Sequence, residues 1–360
     1  MTEPTKSKNI AITGCSGFIG SHIVERLLST TDYQIYGIDI SESRIKHLKN
    51  NSAFSFYNLN ITDSSRMKEI LAQCGTVISL VALCNPSLYN TRPVDVITTN
   101  FTNAIDIIKL CCDYNCRIIQ FSTCEVYGKT LAGLTSSKKM DDYILKEDQT
   151  NLIMGPVLAQ RWSYAAAKQL LERIIYAYGF EYGLDYTIVR PFNFIGPGMD
   201  YIPGIDGEGI PRVLACFMES LLFNKPLKLV DDGLSRRCFT YISDAVDAVE
   251  LILKNPKSRQ QIFNIGNPEN EISIKDLANL MIELFQQIAP NSFSAGTLTV
   301  SSRDFYGEGY EDCDRRVPDI SKIQNMLEWK PKTNLRDALR VTIEHYLRNY
   351  SPTAIKEDYS

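Results

Sequence analysis

The 360-residue sequence has few histidines, no long hydrophobic run and no block of basic residues. Its three histidines, His22, His47 and His345, are far apart and offer few nitrogen ligands for a metal. The longest apolar stretch, VISLVALC at 77–84, is as long as a buried strand and too short to span a bilayer. A formal net charge of −4 without a basic run gives no surface for nucleic acid. We therefore expect neither a membrane nor a nucleic-acid partner.

Cysteine, by contrast, is abundant, with ten residues in the chain. The first residues, MTEPTKSKN, lack the apolar core of a signal peptide, so we expect a cytoplasmic protein with reduced thiols. The cluster CCDYNC (Cys111, Cys112 and Cys116) raises a metal site as an alternative. Because histidine is scarce and no second cysteine group has ligand spacing, we expect buried helix cysteines and no metal.

Short apolar runs alternate with amphipathic helical patterns over the first 130 residues. The runs NIAIT, QIYGID, FSFYNLN, TVISLVA and RIIQFS predict strands, and YTIVRPF at 186–192 predicts one more. This alternation predicts an α/β fold: a Rossmann-type, doubly wound parallel sheet with helices on both faces, followed by a smaller C-terminal α/β substrate-binding domain.

The composition of the sequence changes after residue 192, where PGMDYIPGIDGEG is rich in glycine and proline. We place a first domain at 1–190, with later segments such as 238–266 as candidates for returning to it, a second domain at 191–350, and a loose tail at 351–360. Within the second domain, Ser273 followed by Asp276 predicts the N-cap of a helix.

The stretch GCSGFIG carries Gly14, Gly17 and Gly20 between a predicted strand and the helix SHIVERLL. Glycines at these positions allow a tight turn and let the N–H groups of the helix N-terminus approach a pyrophosphate. Asp39 ends the second strand, 19 residues after Gly20, as expected of an acid that binds the adenosine ribose hydroxyls. Because a carboxylate there repels a 2′-phosphate, we expect NAD rather than NADP.

The stretch SYAAAK places Tyr164 and Lys168 four residues apart and so on one face of a helix. A free tyrosine has a pKa near ~10, and we expect the ammonium and a positive nicotinamide to favour the phenolate. Such a tyrosine can take a proton from a sugar hydroxyl while NAD accepts the hydride.

Together with the glycine loop and Ser122 and Thr123 at a strand end, this pair resembles the extended short-chain dehydrogenase/reductase superfamily over residues 9–345. Most of its members act on nucleotide sugars. FSTCEVYGKT, QRWSYAAAKQLLER, RPFNFIGPGMDYIPGIDG, IPRVLACF, FNIGNPENE and FYGEGYEDCDRRVPD are similar to the UDP-glucuronate decarboxylase branch, and within it most similar to the UDP-apiose/UDP-xylose synthases. The resemblance implies a first domain that binds NAD and a second domain that binds a UDP sugar. It also implies a homodimer formed by two apolar helices of each subunit, TNFTNAIDIIKLCCDY at 99–114 and QRWSYAAAKQLLERIIYAYG at 160–179.

The resemblance also implies a reaction in which oxidation at C4 of UDP-glucuronate makes a β-keto acid that loses CO₂. Glu125 is implied as a proton-handling or solvent-ordering group, and Arg316 as an orienting cation and proton donor at C5. The alternatives are a strand-end carboxylate satisfied by caps and water for Glu125, and a surface arginine in a charged turn for Arg316.

Cys84 and Cys124 follow the fourth and fifth predicted strands, at the carboxyl edge that lines the ligand crevice of open parallel sheets. Ring contraction to apiose requires proton handling on the C2/C3 side of the sugar, which a thiol of partly depressed pKa can supply. The resembling synthases have cysteines at both positions. The alternative is that either sulfur only fills space.

Further site residues carry over by motif. Thr123 joins the catalytic set; the substrate residues are Tyr89, Arg161, Asn193, Arg212, Lys228, Arg237 and Tyr310; and the additional cofactor residues are Phe18, Ile19, Asn60, Ile61, Leu80 and Ala82. Asn60 stands where relatives often place Asp, which puts the adenine contact in doubt. For each charged substrate residue, a surface salt bridge is the alternative.

We therefore expect an NAD-dependent enzyme that converts UDP-glucuronate to UDP-apiose and UDP-xylose. One alternative is a decarboxylase that stops at UDP-xylose or the 4-ketopentose, and Cys84 with Cys124 is the feature against it. The other is a non-catalytic NAD-bound protein, against which Tyr164, Lys168 and Glu125 argue.

Overall fold

The computed structural model describes residues 8–135, 139–207, 209–292, 294–307, 311 and 313–350. The predicted tail, 351–360, lies outside this part. The strands are, in chain order, β1 (Asn9–Thr13), β2 (Gln34–Asp39), β3 (Phe54–Asn58), β4 (Thr76–Ser79), β5 (Arg117–Phe121), β6 (Ile144–Leu145), β7 (Tyr186–Pro191), β8 (Phe194–Ile195), β9 (Leu227–Val230), β10 (Arg236–Cys238), β11 (Thr240–Tyr241), β12 (Gln261–Ile265), β13 (Glu271–Ser273), β14 (Thr297–Val300) and β15 (Arg315–Pro318).

The α-helices complete the pattern of alternating elements. They are α1 (Phe18–Thr30), α2 (Ser64–Leu71), α3 (Pro86–Thr91), α4 (Pro93–Ile97), α5 (Asn103–Asp113), α6 (Leu131–Leu134), α7 (Ser163–Tyr182), α8 (Val213–Leu222), α9 (Ile242–Lys254), α10 (Ile274–Ile288), α11 (Ser302–Tyr306), α12 (Ser321–Leu327) and α13 (Leu335–Tyr350). None of these helices is long and apolar enough to cross a membrane.

Seven strands form one sheet in the order β12-β7-β5-β4-β1-β2-β3, and every neighbouring pair is parallel. The predicted α/β fold with a parallel sheet is therefore confirmed. The order changes direction between β1 and β4, so the chain winds outward on both sides of that point. Ligands of such sheets bind at this switch point, beyond the carboxyl ends of the strands.

Helices cover both faces of the sheet because its strands are apolar on both sides. All five residues of β5 are buried, which explains why RIIQF is a continuous apolar run without alternation. Apolar residues of α1, α9 and α12 pack against one face, and those of α2, α5 and α7 against the other.

The C-terminal part of the chain has smaller sheets and a separate core. β13, β10, β15 and β6 form a four-stranded mixed sheet, while β11 pairs with β8 and β14 with β9. Apolar residues of α8, α10 and α13 pack together in this part. Ser273 is the predicted N-cap of α10, because its Oγ accepts a hydrogen bond from the Asp276 N–H at 3.0 Å. β12, at 261–265, is an edge strand of the large sheet, whereas the exact domain boundaries stay a prediction.

Candidate active site

The glycine loop joins β1 to α1 in a turn that only glycine fits. A Cβ on Gly20 would lie 2.1 Å from the Gly14 carbonyl oxygen, and Gly14 itself has a φ of +75°. Gly17 is the N-cap of α1, without a side-chain hydrogen bond and without an acidic residue in the first turn. Phe18 and Ile19, in that turn, are half-buried. The bare helix N-terminus therefore fits a pyrophosphate, as predicted for NAD.

Asp39 ends β2 beside this loop and is half-buried. Its Oδ2 accepts the Ser16 N–H at 2.9 Å, and its Oδ1 accepts the Ser41 N–H at 3.2 Å. Both bonds fix the carboxylate at the carboxyl edge of the sheet, next to the N-terminus of α1. This position suits contact with ribose hydroxyls.

The remaining predicted cofactor residues lie along the same edge. Leu80 follows β4, and a Cβ on Gly14 would lie 3.3 Å from the Leu80 Cβ; Ala82 is half-buried two residues later. Asn60 is exposed, and its Oδ1 accepts both the N–H and the hydroxyl of Thr62. Ile61 is mostly buried in the core. Because the Asn60 oxygen is engaged in its own turn, its contact to adenine stays a prediction.

Tyr164 and Lys168 lie at the start of α7 and are both buried, with exposures of 6% and 1%. The Lys168 ammonium donates to the Phe121 carbonyl at 3.2 Å, which ties α7 to the end of β5. The Thr123 hydroxyl lies close enough to the Tyr164 phenol to oppose the rise of its pKa. The structure thus brings the predicted tyrosine, lysine and threonine together at the carboxyl edge of the sheet.

Burial shifts the pKa values of both Tyr164 and Lys168. Desolvation, with the nearby Cys84 and Glu125, raises the pKa of Tyr164 well above its usual value. Desolvation also lowers the pKa of Lys168 to about 8, against the opposing effects of Cys84 and Glu172. The expected phenolate depends also on the charge of a bound nicotinamide, so it stays a prediction.

A cluster of aromatic and charged side chains lies against Tyr164. The Tyr89 ring stacks on the Tyr164 ring with centroids 5.2 Å apart and an interplanar angle of 8°. The Arg161 guanidinium lies over the Tyr89 ring, with Cζ 5.4 Å from the ring centroid. Arg161 Nη1 donates to Glu125 Oε2 at 2.6 Å. The predicted Glu125, Arg161 and Tyr89 are thus parts of one contact network.

The two sulfurs occupy different environments. Cys84 is exposed to solvent, whereas Cys124 is 4% exposed and packs among Val126 and Phe192. Desolvation raises the pKa of both thiols, for Cys124 to about 11, and neither is depressed as expected. Arg212 and Lys168 oppose the rise at Cys84; Arg316 opposes it at Cys124. Of the two residues, Cys84 is the more open to a ligand.

Arg316 is buried and points away from the outer charged face of its sheet. It pairs in register with Arg237 on β10, and the two are 3% and 9% exposed. Their chain neighbours Arg236 and Arg315 form ion pairs with Glu271 instead. Because side chains alternate along a strand, Arg237 and Arg316 share the opposite face, beside Cys124. The alternative of a surface arginine is wrong for Arg316.

Two further predicted substrate residues are held by contacts within the chain. Asn193 has a φ of +40° and donates through Nδ2 to the Cys238 carbonyl at 3.0 Å. Arg212 forms an ion pair with Asp200 at 2.9 Å and lies over the Phe18 ring, with Cζ 5.9 Å from its centroid. Lys228 is exposed. Tyr310 lies outside the described residues.

Two residues that the sequence analysis missed support this site. Asn100 is fully buried within a π-helical turn at 98–102, and its Nδ2 donates to the carbonyls of Leu83 and Val96. It thereby fixes the loop that carries Cys84. Glu172, four residues after Lys168, forms a buried two-bond ion pair with Arg190. The repeated spacing of four on α7 was the available signal for Glu172.

The cysteine cluster of α5 is part of the core. Cys111 and Cys116 are buried among apolar residues of the second sheet face, together with Cys74. Across the residues that the structure describes, no group of three or more histidine, cysteine or acidic side chains could hold a metal ion.

Comparison with known proteins points to one class of enzyme. The profile of the NAD dependent epimerase/dehydratase family matches residues 10–266. The UDP-D-apiose/UDP-D-xylose synthase of Oryza sativa subsp. japonica is 46% identical over 99% of this chain and 94% of its own. UDP-D-apiose/UDP-D-xylose synthase 1 of Arabidopsis thaliana is 46% identical over 98% of this chain and 95% of its own. The solved structure of PbgP3 protein from Burkholderia pseudomallei has a TM-score of 0.81 at 32% identity, covering 97% of this chain and 98% of its own.

Proposed function

Because this chain belongs to the NAD dependent epimerase/dehydratase family, we propose that it converts UDP-glucuronate to UDP-apiose and UDP-xylose. The relatives of that name, 46% identical over nearly the whole chain, support the proposal. The structural observation that carries it is the convergence on Tyr164. Thr123, Cys84, Glu125 and Cys124 all lie close enough to its phenol to affect its pKa.

The first step in the proposal is removal of the proton from the C4 hydroxyl by Tyr164, with Lys168 beside it. NAD, when bound, accepts the hydride from C4 and later returns it, so the reaction has no net redox change. Lys168 holds α7 against the end of β5 through the Phe121 carbonyl, which keeps the tyrosine at the carboxyl edge. The buried, neutral phenol must lose its proton in the complex, where a positive nicotinamide adds the charge that favours this loss.

The second step is loss of the C5 carboxylate as CO₂ from the β-keto acid. Arg161 and Arg316 are the buried cations that would orient this carboxylate, and Glu125 would handle the proton at C5. Glu125 already lies at 2.6 Å from Arg161, so the sugar carboxylate would compete with it for the same guanidinium. An uncharged sugar would leave the ion pair between Arg161 and Glu125 intact, whereas a sugar carboxylate would compete with Glu125 for Arg161.

The third step is ring contraction, in which the C2 hydroxyl loses a proton, the C2–C3 bond breaks and a C2–C4 bond forms. We assign the proton handling to Cys84, because the residue is exposed beyond the end of β4 and because Lys168 and Arg212 lie near its thiol. Cys124 would assist from its buried position next to Arg316.

A second candidate is a decarboxylase that stops at UDP-xylose or the 4-ketopentose. It is favoured by one observation, the burial of Cys124 with a pKa of about 11. Incubation with UDP-glucuronate and NAD, followed by NMR of the products, separates the two. We expect UDP-apiose and UDP-xylose without accumulation of NADH; UDP-xylose alone would favour the second candidate. A product that retains the carboxylate would contradict both.

We also propose a homodimer. Its interface includes α7, as expected, and α4, which leads into the expected helix at 99–114. These helices pack together and leave an apolar surface to solvent, formed by Val94, Ile97, Leu170, Tyr176 and Phe180. The three residues of α7 lie on one side of that helix, since their spacing of six and four keeps them within about a third of a turn. Contiguous apolar surface of this kind marks protein interfaces.

We place the protein in the cytoplasm. All ten cysteines are free in the structure, which suits a reducing compartment. Fractionation of the source cells would test this proposal, and recovery in a secreted or oxidising compartment would contradict it.

A further inference from the structure

Glu311 connects separate segments of the chain beside the candidate active site. Its Oε2 lies 2.8 Å from Lys129 Nζ and accepts a hydrogen bond from Trp162 Nε1–H at 3.0 Å. Lys129 follows the turn that carries Glu125, and Trp162 comes directly after Arg161. A single carboxylate oxygen thus joins the chain segments that hold the two members of the Glu125–Arg161 pair.

Both partners of Glu311 are held in place by other contacts. The N–H of Lys129 donates to the Ile153 carbonyl at 2.8 Å, and a Cβ on Gly128 would lie 1.8 Å from that same oxygen. The Trp162 side chain is buried and packs with Ala159 and Ala165. Glu311 therefore contacts two residues whose positions are set by other parts of the chain.

The space around this contact admits no side chain at position 155. A Cβ on Gly155 would lie 2.4 Å from Trp162 Nε1 and 2.7 Å from Glu311 Oε2. The hydrogen bond between Trp162 and Glu311 is therefore available only with glycine at that position. The hydrogen bonds from Lys129 and Trp162 also lower the pKa of the Glu311 carboxyl.

The segment that follows Glu311 leads into β15, which begins at Arg315 and carries the buried Arg316. We propose that Glu311 is a positioning residue: it fixes the distance between Arg316 and Arg161 and so builds the subsite for the sugar carboxylate. This inference rests on the proposed function and deepens it. Glu311 acts through the two arginines and does not itself contact the substrate.

The proposal predicts a selective loss of affinity, because only the carboxylate of the ligand uses both arginines. UDP-glucuronate and UDP-glucose differ only in the group at C6. When the contacts of Glu311 are removed, binding of UDP-glucuronate should weaken, and binding of UDP-glucose should not change. A general loss of structure would weaken both.

The experiment is calorimetric titration of the NADH-loaded protein, which cannot oxidise the sugar at C4, with each nucleotide sugar. We expect Glu311→Ala to weaken UDP-glucuronate binding about tenfold, the order of one charge-assisted hydrogen bond, and to leave UDP-glucose binding unchanged. Glu311→Gln keeps an acceptor for Trp162 and should restore part of the affinity. The matched control is Glu219→Ala, which removes a 2.7 Å ion pair with Lys225 elsewhere on the surface and should change neither affinity.

Gly155→Ala is a second, independent variant, because it disturbs the same contact from the other side. It should show the same selective loss, with a melting temperature close to that of the unmodified protein. If both Glu311→Ala and Gly155→Ala kept the preference for UDP-glucuronate over UDP-glucose, the role of Glu311 would be overturned. An equal loss of affinity for both ligands would overturn it as well. Unmodified protein that binds both ligands equally would instead contradict the proposed function.

Discussion

The Arg161 guanidinium and the Glu125 carboxylate form an ion pair, with Nη1 and Oε2 2.6 Å apart and side-chain exposures of only 4% and 18%. The two residues are 36 positions apart in the chain, on the segments that precede α7 and follow β5. In a site that is largely shielded from water, removing one partner leaves the other charge desolvated and uncompensated. The pair is therefore expected to control both the structure of the site and its response to a charged sugar.

Glu125→Gln should abolish most CO₂ release while leaving oxidation at C4 intact. The amide keeps a hydrogen-bond acceptor for Arg161 but cannot take up or release a proton at C5. Loss of a general acid or base typically costs about 10²–10⁴-fold in rate. Released CO₂ and NADH absorbance, followed in one turnover, measure the two steps separately. An equal loss of both signals would contradict a role restricted to decarboxylation.

Tyr164→Phe should abolish turnover without unfolding the protein. Phenylalanine retains the ring that stacks on Tyr89 at 5.2 Å, and only the hydroxyl that accepts the C4 proton is lost. The matched control is Tyr89→Phe, which keeps the same stack from the other side and should retain much more activity. Near-normal CO₂ release from Tyr164→Phe would refute the assignment of the base.

Cys84→Ala should shift the products from UDP-apiose towards UDP-xylose or the 4-ketopentose, with decarboxylation retained. Cys84 is an exposed residue, so little packing is lost. Cys124→Ser should shift the products less, and should lower the free energy of unfolding by about 0.5–3 kcal/mol because that thiol is buried. NMR of the products and urea unfolding measure the two effects. An unchanged apiose-to-xylose ratio in both variants would show that the sulfurs only fill space.

Lys168 should make the stability of the protein depend on pH. Its pKa falls from the usual 10.5 to about 8 in the folded protein. Between these values the unfolded chain binds more protons, so the contribution of Lys168 to the unfolding free energy rises with pH. Below the folded pKa, the buried charge costs the folded state about 3 kcal/mol.

Urea unfolding of the unmodified protein and of Lys168→Met, at several pH values from 7 upward, isolates this effect from other titrating groups. The stability of the variant relative to the unmodified protein should fall steadily as the pH rises above about 8. The lost hydrogen bond to the Phe121 carbonyl adds only a constant offset. A difference that does not vary with pH would contradict the lowered pKa.

Phe180→Glu should convert the proposed homodimer to a monomer, because it puts a charge into the apolar surface of α7. Phe180 is 83% exposed in the single chain. The matched control is Leu234→Glu, which changes a 71% exposed apolar residue away from α4 and α7. Light scattering at micromolar concentration measures the mass of each. A monomeric unmodified protein would contradict the proposal.

Much of the fold could be predicted because its signals are local. The strands NIAIT and QIYGID coincide with β1 and β2, since continuous apolar runs of this length satisfy a buried parallel sheet. Ser273 could be predicted as an N-cap because its partner, Asp276, lies in the next turn of the chain. TVISLVA was predicted to continue as a strand to residue 82, but β4 ends at Ser79, where the chain leaves the sheet to form the edge of the candidate site.

The electrostatics of the site could not be predicted, because pKa values depend on the surroundings. The spacing of Tyr164 and Lys168 placed them on one helix face, but it gave no sign that burial raises the tyrosine pKa and lowers that of the lysine. The positions of Cys84 and Cys124 after adjacent strands gave no sign that one is exposed and the other buried. Burial is a property of the packed structure, and no local pattern encodes it.

The sequence alone therefore determined the parallel α/β sheet, the glycine loop with Asp39, and the pairing of Tyr164 with Lys168 on one helix face. Each of these depends on residues within one or two consecutive elements, whose geometry follows from helix and strand periodicity. Only the tertiary structure decided that Arg161 pairs with Glu125 and that Glu311, 149 positions away in the chain, receives the Trp162 hydrogen bond. Such contacts form where separate segments converge at the sheet edge, and their geometry is set by packing across the whole chain.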